Sequence, residues 1–151
     1  MTSESGQKPK PRRLYLDTSA YLCLLLGEKG SEALAKEFAG AELLSSVLLV
    51  LETRRNVVRL ARDGTLTADQ CTGCLHRMDQ DAESFILRDL TLDLCRSSIM
   101  PVVSTPRSLD LVHLRTALWF HMAERIDRFV TMDESQSGAA KELGLPTALS
   151  V

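Results

Sequence analysis

Long apolar runs are missing from this chain. Stretches such as Val47–Leu51 fall far short of the roughly 20 apolar residues that a membrane-spanning helix needs. The opening segment, MTSESGQKPKPRR, is polar and carries no apolar block of the signal-peptide kind, so a cytoplasmic location with no membrane partner is expected. An excess of one charge sign is missing too. Eighteen Lys and Arg stand against 20 Asp and Glu, a formal net charge of −2, so the protein as a whole is not a polycation. Any grip on nucleic acid must come from a local basic face.

Cysteine is sparse, at Cys23, Cys71, Cys74 and Cys95. Cys71 and Cys74 form one CxxC with His76 two residues on, but no second CxxC and no HxxxH completes a zinc site. The pair falls in an expected helix, outside the βαβ context of a thioredoxin-like motif. All four are read as reduced, mostly structural thiols. His76, His113 and His121 have no HExxH among them and read as core or edge residues. Internal repeats, low-complexity stretches and long linkers are also absent.

What is present is an ordinary globular composition, 44% hydrophobic and 25% charged in 151 residues. That length suits one domain with a real core. Residues 1–12 read as a basic tail with little to bury, expected to be disordered, and 13–151 as the domain. Short apolar segments alternate with helical ones. Leu14–Leu16, Glu42–Ser45, Phe85–Leu87, Phe129–Thr131 and Thr147–Leu149 read as strands. Ala20–Leu26, Ser31–Ala39, Val47–Arg62, a segment from Thr67 to about Met78, Thr91–Ser98, Leu109 to about Arg125, and Gln136–Leu143 read as helices. Ser31, Ser46, Thr67 and Ser108 are the expected N-caps, Ser104–Ser108 a loop, and Gly144 the C-terminal glycine of the last helix. This alternation predicts an α/β fold with a mainly parallel sheet covered on both faces.

Four acids stand at element ends. Asp17 follows the first strand in LYLDTSAYL, and Asp133 lies just past FVT. Both are expected at the rim outside the carboxyl ends of the strands, where such sheets bind ligands. Asp110 sits in the first turn of an apolar helix, which suits the helix dipole but calls for a cation or donors to stay ionised. Glu52 sits at the edge of an apolar arc formed by Val47, Val50, Leu51, Val57, Val58 and Ala61, beside Arg55, Asn56 and Arg59, with Arg54 inside the arc. Taken singly, each acid is more often a cap, a turn or a solvated charge. Jointly, two acids after separate strands and two on helix edges point to a site.

LYLDTSAYL, SSVLLVLETRR, SLDLVHLRTA and FVTMDESQSGAAKELGLP resemble the PIN domain, and in particular the VapC-type toxins of prokaryotic toxin–antitoxin pairs. The likeness spans most of Leu14–Val151. It implies a PIN-like three-layer sandwich in which Asp17, Glu52, Asp110 and Asp133 form an acidic quartet, with Thr18, Ser19 and Thr131 as supporting hydroxyls and His113 as packing or support. It also implies a ribonuclease with Mg²⁺ (or Mn²⁺) at Asp17, Asp110 and Asp133: Asp17 and Asp110 ligate directly, Asp133 ligates or positions a second ion or the water, and Glu52 ligates or orients the attacking water. Oxygen-only donors suit those hard cations. The products expected are a 5′-phosphate and a 3′-hydroxyl.

The implied partners are an RNA substrate, a small antitoxin and a second copy in a homodimer. Arg107, close to Asp110, is the foremost candidate for an RNA phosphate contact, with Arg12, Arg13, Arg55, Arg59 and Arg115 behind it. Leu49 and Leu60, opposite the apolar arc, suit either a dimer interface or burial by another helix of the same chain. Three departures from the family pattern stand out: Gln136 where an apolar residue is usual, expected to loosen the last helix; Arg115 where a small one is usual; and the length of the basic tail.

Other readings remain open. An aspartyl phosphotransferase using Asp17 lacks the second aspartate, because Ser19 stands in its place. A PIN module that binds RNA or protein without cutting, and an RNA-processing nuclease outside any toxin pair, both fit the same motifs.

Overall fold

The structure, a computed structural model, describes Gly6, residues 8–96, Val103 and residues 107–148. Expectations for residues 1–5 and 7 of the tail, Ser97 and Ser98 of the short helix, Ser104–Pro106 of the loop, and Leu149 lie outside the described residues.

Leu14, Tyr15 and Leu16 are consecutive and all fully buried. Successive side chains of a strand point to opposite faces, so this strand must be covered on both sides. It is β1 (Arg13–Leu16), and it pairs in parallel with β2 (Glu42–Ser46) and with β4 (Arg128–Val130). β2 in turn pairs in parallel with β3 (Ile86–Arg88), giving the order β3-β2-β1-β4. Helices α1 (Thr18–Leu26) and α2 (Ser31–Phe38) link β1 to β2, and α3 (Leu48–Arg62) and α4 (Ala68–Ser84) link β2 to β3. Helices α5 (Leu92–Arg96) and α6 (Ser108–Ala123) precede β4, and α7 (Glu134–Glu142) follows it.

The alternation of β1 divides the core in two. Leu14 and Leu16, with Val130, pack on Ala20, Tyr21, Phe38, Leu49, Val57 and Met78 from α1 to α4. Tyr15 turns the other way and stacks on Phe129 with ring centroids 5.4 Å apart, against Leu114, Phe120 and Ala140 of α6 and α7. The expected three-layer α/β sandwich is the observed architecture. Among the described residues no helix is long and apolar enough to cross a membrane.

Local details differ from the sequence reading, each for a physical reason. Ser31 and Ser108 are the first helical residues rather than caps; Gly30 and Arg107 precede them, and neither makes a side-chain cap bond. Gly30 has a φ of 95°, the left-handed region that favours glycine. Thr67 does cap α4, in a reciprocal capping box with Gln70, and the helix runs on past Met78 to Ser84. The described part of the expected strand Thr147–Leu149 is not a strand. Pro146 has no N–H to donate to a ladder, and the segment instead covers the β4 edge with carbonyls. Pro146 O accepts from Phe129 N at 2.7 Å, and Thr147 O from Arg128 Nε at 3.0 Å.

The largest difference is the rotation of α3. Its buried residues are Leu49, Thr53 and Val57, while Leu51 is 66% exposed. That face is about 100°, one residue step, from the arc that hydropathy selects. The helix turns this face because it packs on both α1 and α4. Leu49 is therefore core rather than dimer interface, and Arg54 points outward, which resolves its place within the apolar arc.

Candidate acidic site at the carboxyl rim of the sheet

The strand order reverses at β1: the chain leaves it for β2 on one side, and β4 returns on the other. In open α/β sheets, ligand crevices form outside the carboxyl ends of strands at such a switch point. Asp17 and Asp133 lie there, just past β1 and β4. Asp17 also caps α1, which begins at Thr18, earlier than apolar content indicates. Its Oδ1 accepts from Ala20 N at 3.1 Å and from Ser19 Oγ at 2.7 Å, and its Oδ2 accepts from Thr131 Oγ1 at 2.5 Å. The two hydroxyls also receive the next strand's loop: Met132 N donates to Ser19 Oγ at 3.0 Å, and Asp133 N to Thr131 Oγ1 at 3.1 Å. Ser19 and Thr131 thus tie the ends of β1 and β4 to one carboxylate. Asp133 caps α7 through Ser135 N at 2.9 Å and Gln136 N, and is exposed.

Asp110 is in the first turn of α6 and half-buried. Burial pushes its carboxyl above the ordinary range, and the negative charges of Asp133 and Asp17 push it further, against Arg107 and His113. Asp17 is also raised, by burial, with the Thr131 and Ser19 hydrogen bonds opposing. Asp110 therefore feels two further carboxylates carried by other elements.

Glu52 is bonded differently. Its Oε1 accepts from Thr18 Oγ1 at 2.6 Å and lies 2.9 Å from His113 Nε2. On the other side of the ring, His113 Nδ1 is 2.8 Å from the hydroxyl of buried Tyr15. A proton on Nε2, donated to Glu52, and the Tyr15 hydroxyl at Nδ1 satisfy all three groups. Burial raises the Glu52 carboxyl, but the His113 and Thr18 hydrogen bonds outweigh it and the pKa falls below the ordinary value. The sign of the pH dependence follows. This contribution to stability is fully present above the unfolded glutamate pKa, about 4.3, and is lost as pH falls through the lowered folded value. Glu52→Gln is therefore expected to cost about 1 kcal/mol at neutral pH, from weakening charged hydrogen bonds, and progressively less at acid pH as the folded glutamate takes up its proton. Urea midpoints of the two proteins at neutral and acid pH check this.

The arginines divide. Arg12 and Arg13 lie at the amino end of β1, the rim opposite Asp17. Arg12 pairs with Glu37 at 3.6 Å, and Arg13 with Glu42 at 3.2 Å and Glu124 at 3.8 Å. Arg115 donates to the carbonyls of Leu94 and Cys95, tying α5 to α6. Arg55, Arg59 and Arg107 are exposed, and Arg107 is the one whose charge acts on Asp110. The four cysteines are free, and Cys71 and Cys74 pack against the α1–α4 core. His121 Nδ1 accepts from Ile126 N at 3.1 Å, a structural role.

Two features escaped the sequence reading. The Tyr15–His113–Glu52 chain joins residues far apart in sequence, and nothing local signals it. Gln136 did carry a signal, because it opens the stripe Gln136, Ala139, Ala140, Leu143 with a polar group that needs a partner. It is buried, and its Nε2 donates to Asp110 O at 3.0 Å. Rather than loosening α7, it fastens the start of α7 to the start of α6, and so Asp133 to Asp110.

No family model and no curated protein matches the chain. The parallel-sheet sandwich is consistent with a PIN-like topology and compatible with a nuclease scaffold of that kind. Among the described residues no three His, Cys, Asp or Glu side chains are grouped to hold a metal ion between them. The donor chemistry nonetheless fits a hard cation. The set is all oxygen, and the mutual repulsion felt at Asp110 is what a cation would relieve. Magnesium commonly takes only one or two carboxylates, with water and substrate phosphate completing its shell.

Proposed function

We propose that the protein is a divalent-metal-dependent endoribonuclease, acting as the toxin of a VapBC-type pair. The observation that supports this reading most is geometric: at the sheet's switch point Thr131 ties the Asp17 carboxylate to Asp133 N, and Gln136 ties the start of α7 to Asp110 O. Asp17 and Asp110 would hold Mg²⁺ or Mn²⁺ directly, with Asp133 completing the set or positioning water. The ion, when bound, supplies Lewis acidity to a phosphodiester and a water of lowered pKa.

The chain's own residues then have separate tasks. Ser19 and Thr131 hold the Asp17 carboxylate in one orientation. Glu52, kept ionised by His113 and Thr18, orients the attacking water and accepts its proton. Arg107 meets a substrate phosphate beside Asp110. The antitoxin would cover this rim, and the toxin would act as a homodimer in the cytoplasm.

The purified chain is expected to shorten RNA in Mg²⁺ or Mn²⁺, to stop on chelation, and to resume when the ion is restored. Gel analysis and end-mapping of the fragments should show 5′-phosphates. Growth arrest on expression without a partner separates a toxin from a processing nuclease. A non-cleaving binding module is the second reading, one that the exposed Arg107 beside Asp110 would serve equally well. Metal-dependent RNA binding with intact RNA recovered decides for it.

A further inference from the structure

The side of α3 turned away from the sheet carries a pattern that the acidic site does not absorb. Leu51, Arg54, Arg55, Val58, Arg59 and Arg62 line one groove along the helix. Their spacing of i, i+3, i+4, i+7, i+8 and i+11 is that of a helix face made for contact. Yet this face meets solvent. All four arginines are exposed, and Leu51 is the most exposed large apolar side chain among the described residues. Among those residues none of the four arginines makes an ion pair; Arg59 donates to Asn56 Oδ1 at 3.1 Å. No acid lines the groove.

We infer that this face docks an acidic amphipathic helix of a partner protein. Four exposed guanidinium groups, none in an ion pair among the described residues, concentrate positive charge on this face, and their planar forks suit carboxylates. Leu51 and Val58, seven residues and two turns apart, match the apolar repeat of a helix laid along α3. A nucleic-acid strand answers the arginines only. It leaves Leu51 and Val58 against phosphates, and the groove offers no aromatic ring for base stacking. A second copy packed symmetrically on the same face brings four more arginines and no acid from that groove to the contact. The inference is independent of the ribonuclease reading and stands whether or not the protein cuts RNA.

The test uses the full chain and three fluorescent probes. One is a synthetic helical peptide with leucines seven apart flanked by glutamates; the second is its lysine-for-glutamate counterpart; the third is a single-stranded RNA of equal charge to the first. By anisotropy the glutamate peptide is expected to bind at least about tenfold more tightly than the lysine peptide, and Leu51→Ser to weaken it about tenfold. The double variant Arg54→Glu/Arg62→Glu is expected to reverse the preference, an outcome that mere misfolding does not produce. Failure of the glutamate peptide to bind, or equal binding of the lysine peptide, overturns the proposal. Tighter binding of RNA that is indifferent to Leu51→Ser overturns it in favour of a polyanion track. A dimer that Leu51→Ser dissociates in sedimentation overturns it in favour of a second copy.

Discussion

Asp17→Asn is expected to reduce metal-dependent RNA cleavage on the order of 10³-fold, the equivalent of about 4 kcal/mol of transition-state stabilisation. It should do so without unfolding the protein, and the hydrogen bonds explain why. Asparagine caps a helix as well as aspartate does, so Ala20 N and Ser19 Oγ keep their acceptor. Thr131 Oγ1, now donating to Asp17 Oδ2, can rotate to accept from an amide instead.

The linkage makes a sharper demand. Burial raises the Asp17 pKa, so its ionised form opposes folding. The penalty is absent below the unfolded value, about 3.9, grows as pH rises toward the raised folded value, and is complete above it. In chelator at pH 7 the asparagine protein should therefore be at least as stable as wild type, with the advantage gone below pH ~4. Added Mg²⁺ or Mn²⁺ should raise the melting temperature of wild type alone, because an ion that binds only the folded state stabilises it by mass action. Cleavage at wild-type rate by the variant removes Asp17 from the chemistry. An equal metal-induced shift in both proteins removes it from the metal site.

What the sequence disclosed depended on how local the cause was. LYLD placed β1 and its terminal acid, because a short apolar run ending in an acid and two hydroxyls has few other readings in an α/β chain. FVT followed by Asp133 did the same for β4. The ordinary reading of both acids as helix caps and the functional one turn out to be compatible, since Asp17 and Asp133 each cap a helix at the switch point. Glu52 was legible as a residue on an edge, but its partners were not. Thr18 and His113 reach it across 34 and 61 residues of chain, and only the packing of α6 against the sheet sets that meeting. The same applies to Arg13 and Arg115. Both have the charge of a phosphate contact, and both fasten remote backbone or acids instead.

The rotation of α3 yields the largest expected effect on stability. Hydropathy places Leu51 inside and leaves Leu49 for another helix of the chain or a second copy; packing exposes Leu51 and gives Leu49 to helices of the same chain. Leu49 is fully buried in the α1–α4 core, while Leu51 is 66% exposed. Leu49→Ala is expected to cost about 3 kcal/mol, the transfer of the lost methyl groups plus the cavity they leave. In a domain of this size that lowers the melting temperature by about 6–12 °C. Leu51→Ala removes a side chain of the same size that is mostly in water already, and should change stability by less than about 0.5 kcal/mol. The pair differs only in which side of one helix it samples, so propensity and composition cancel between the two variants. Urea titration of both, at matched protein concentrations, also separates core from interface. A Leu49→Ala loss that shrinks on dilution would mark Leu49 as an intersubunit residue, whereas a loss independent of concentration keeps it in the core of a single chain.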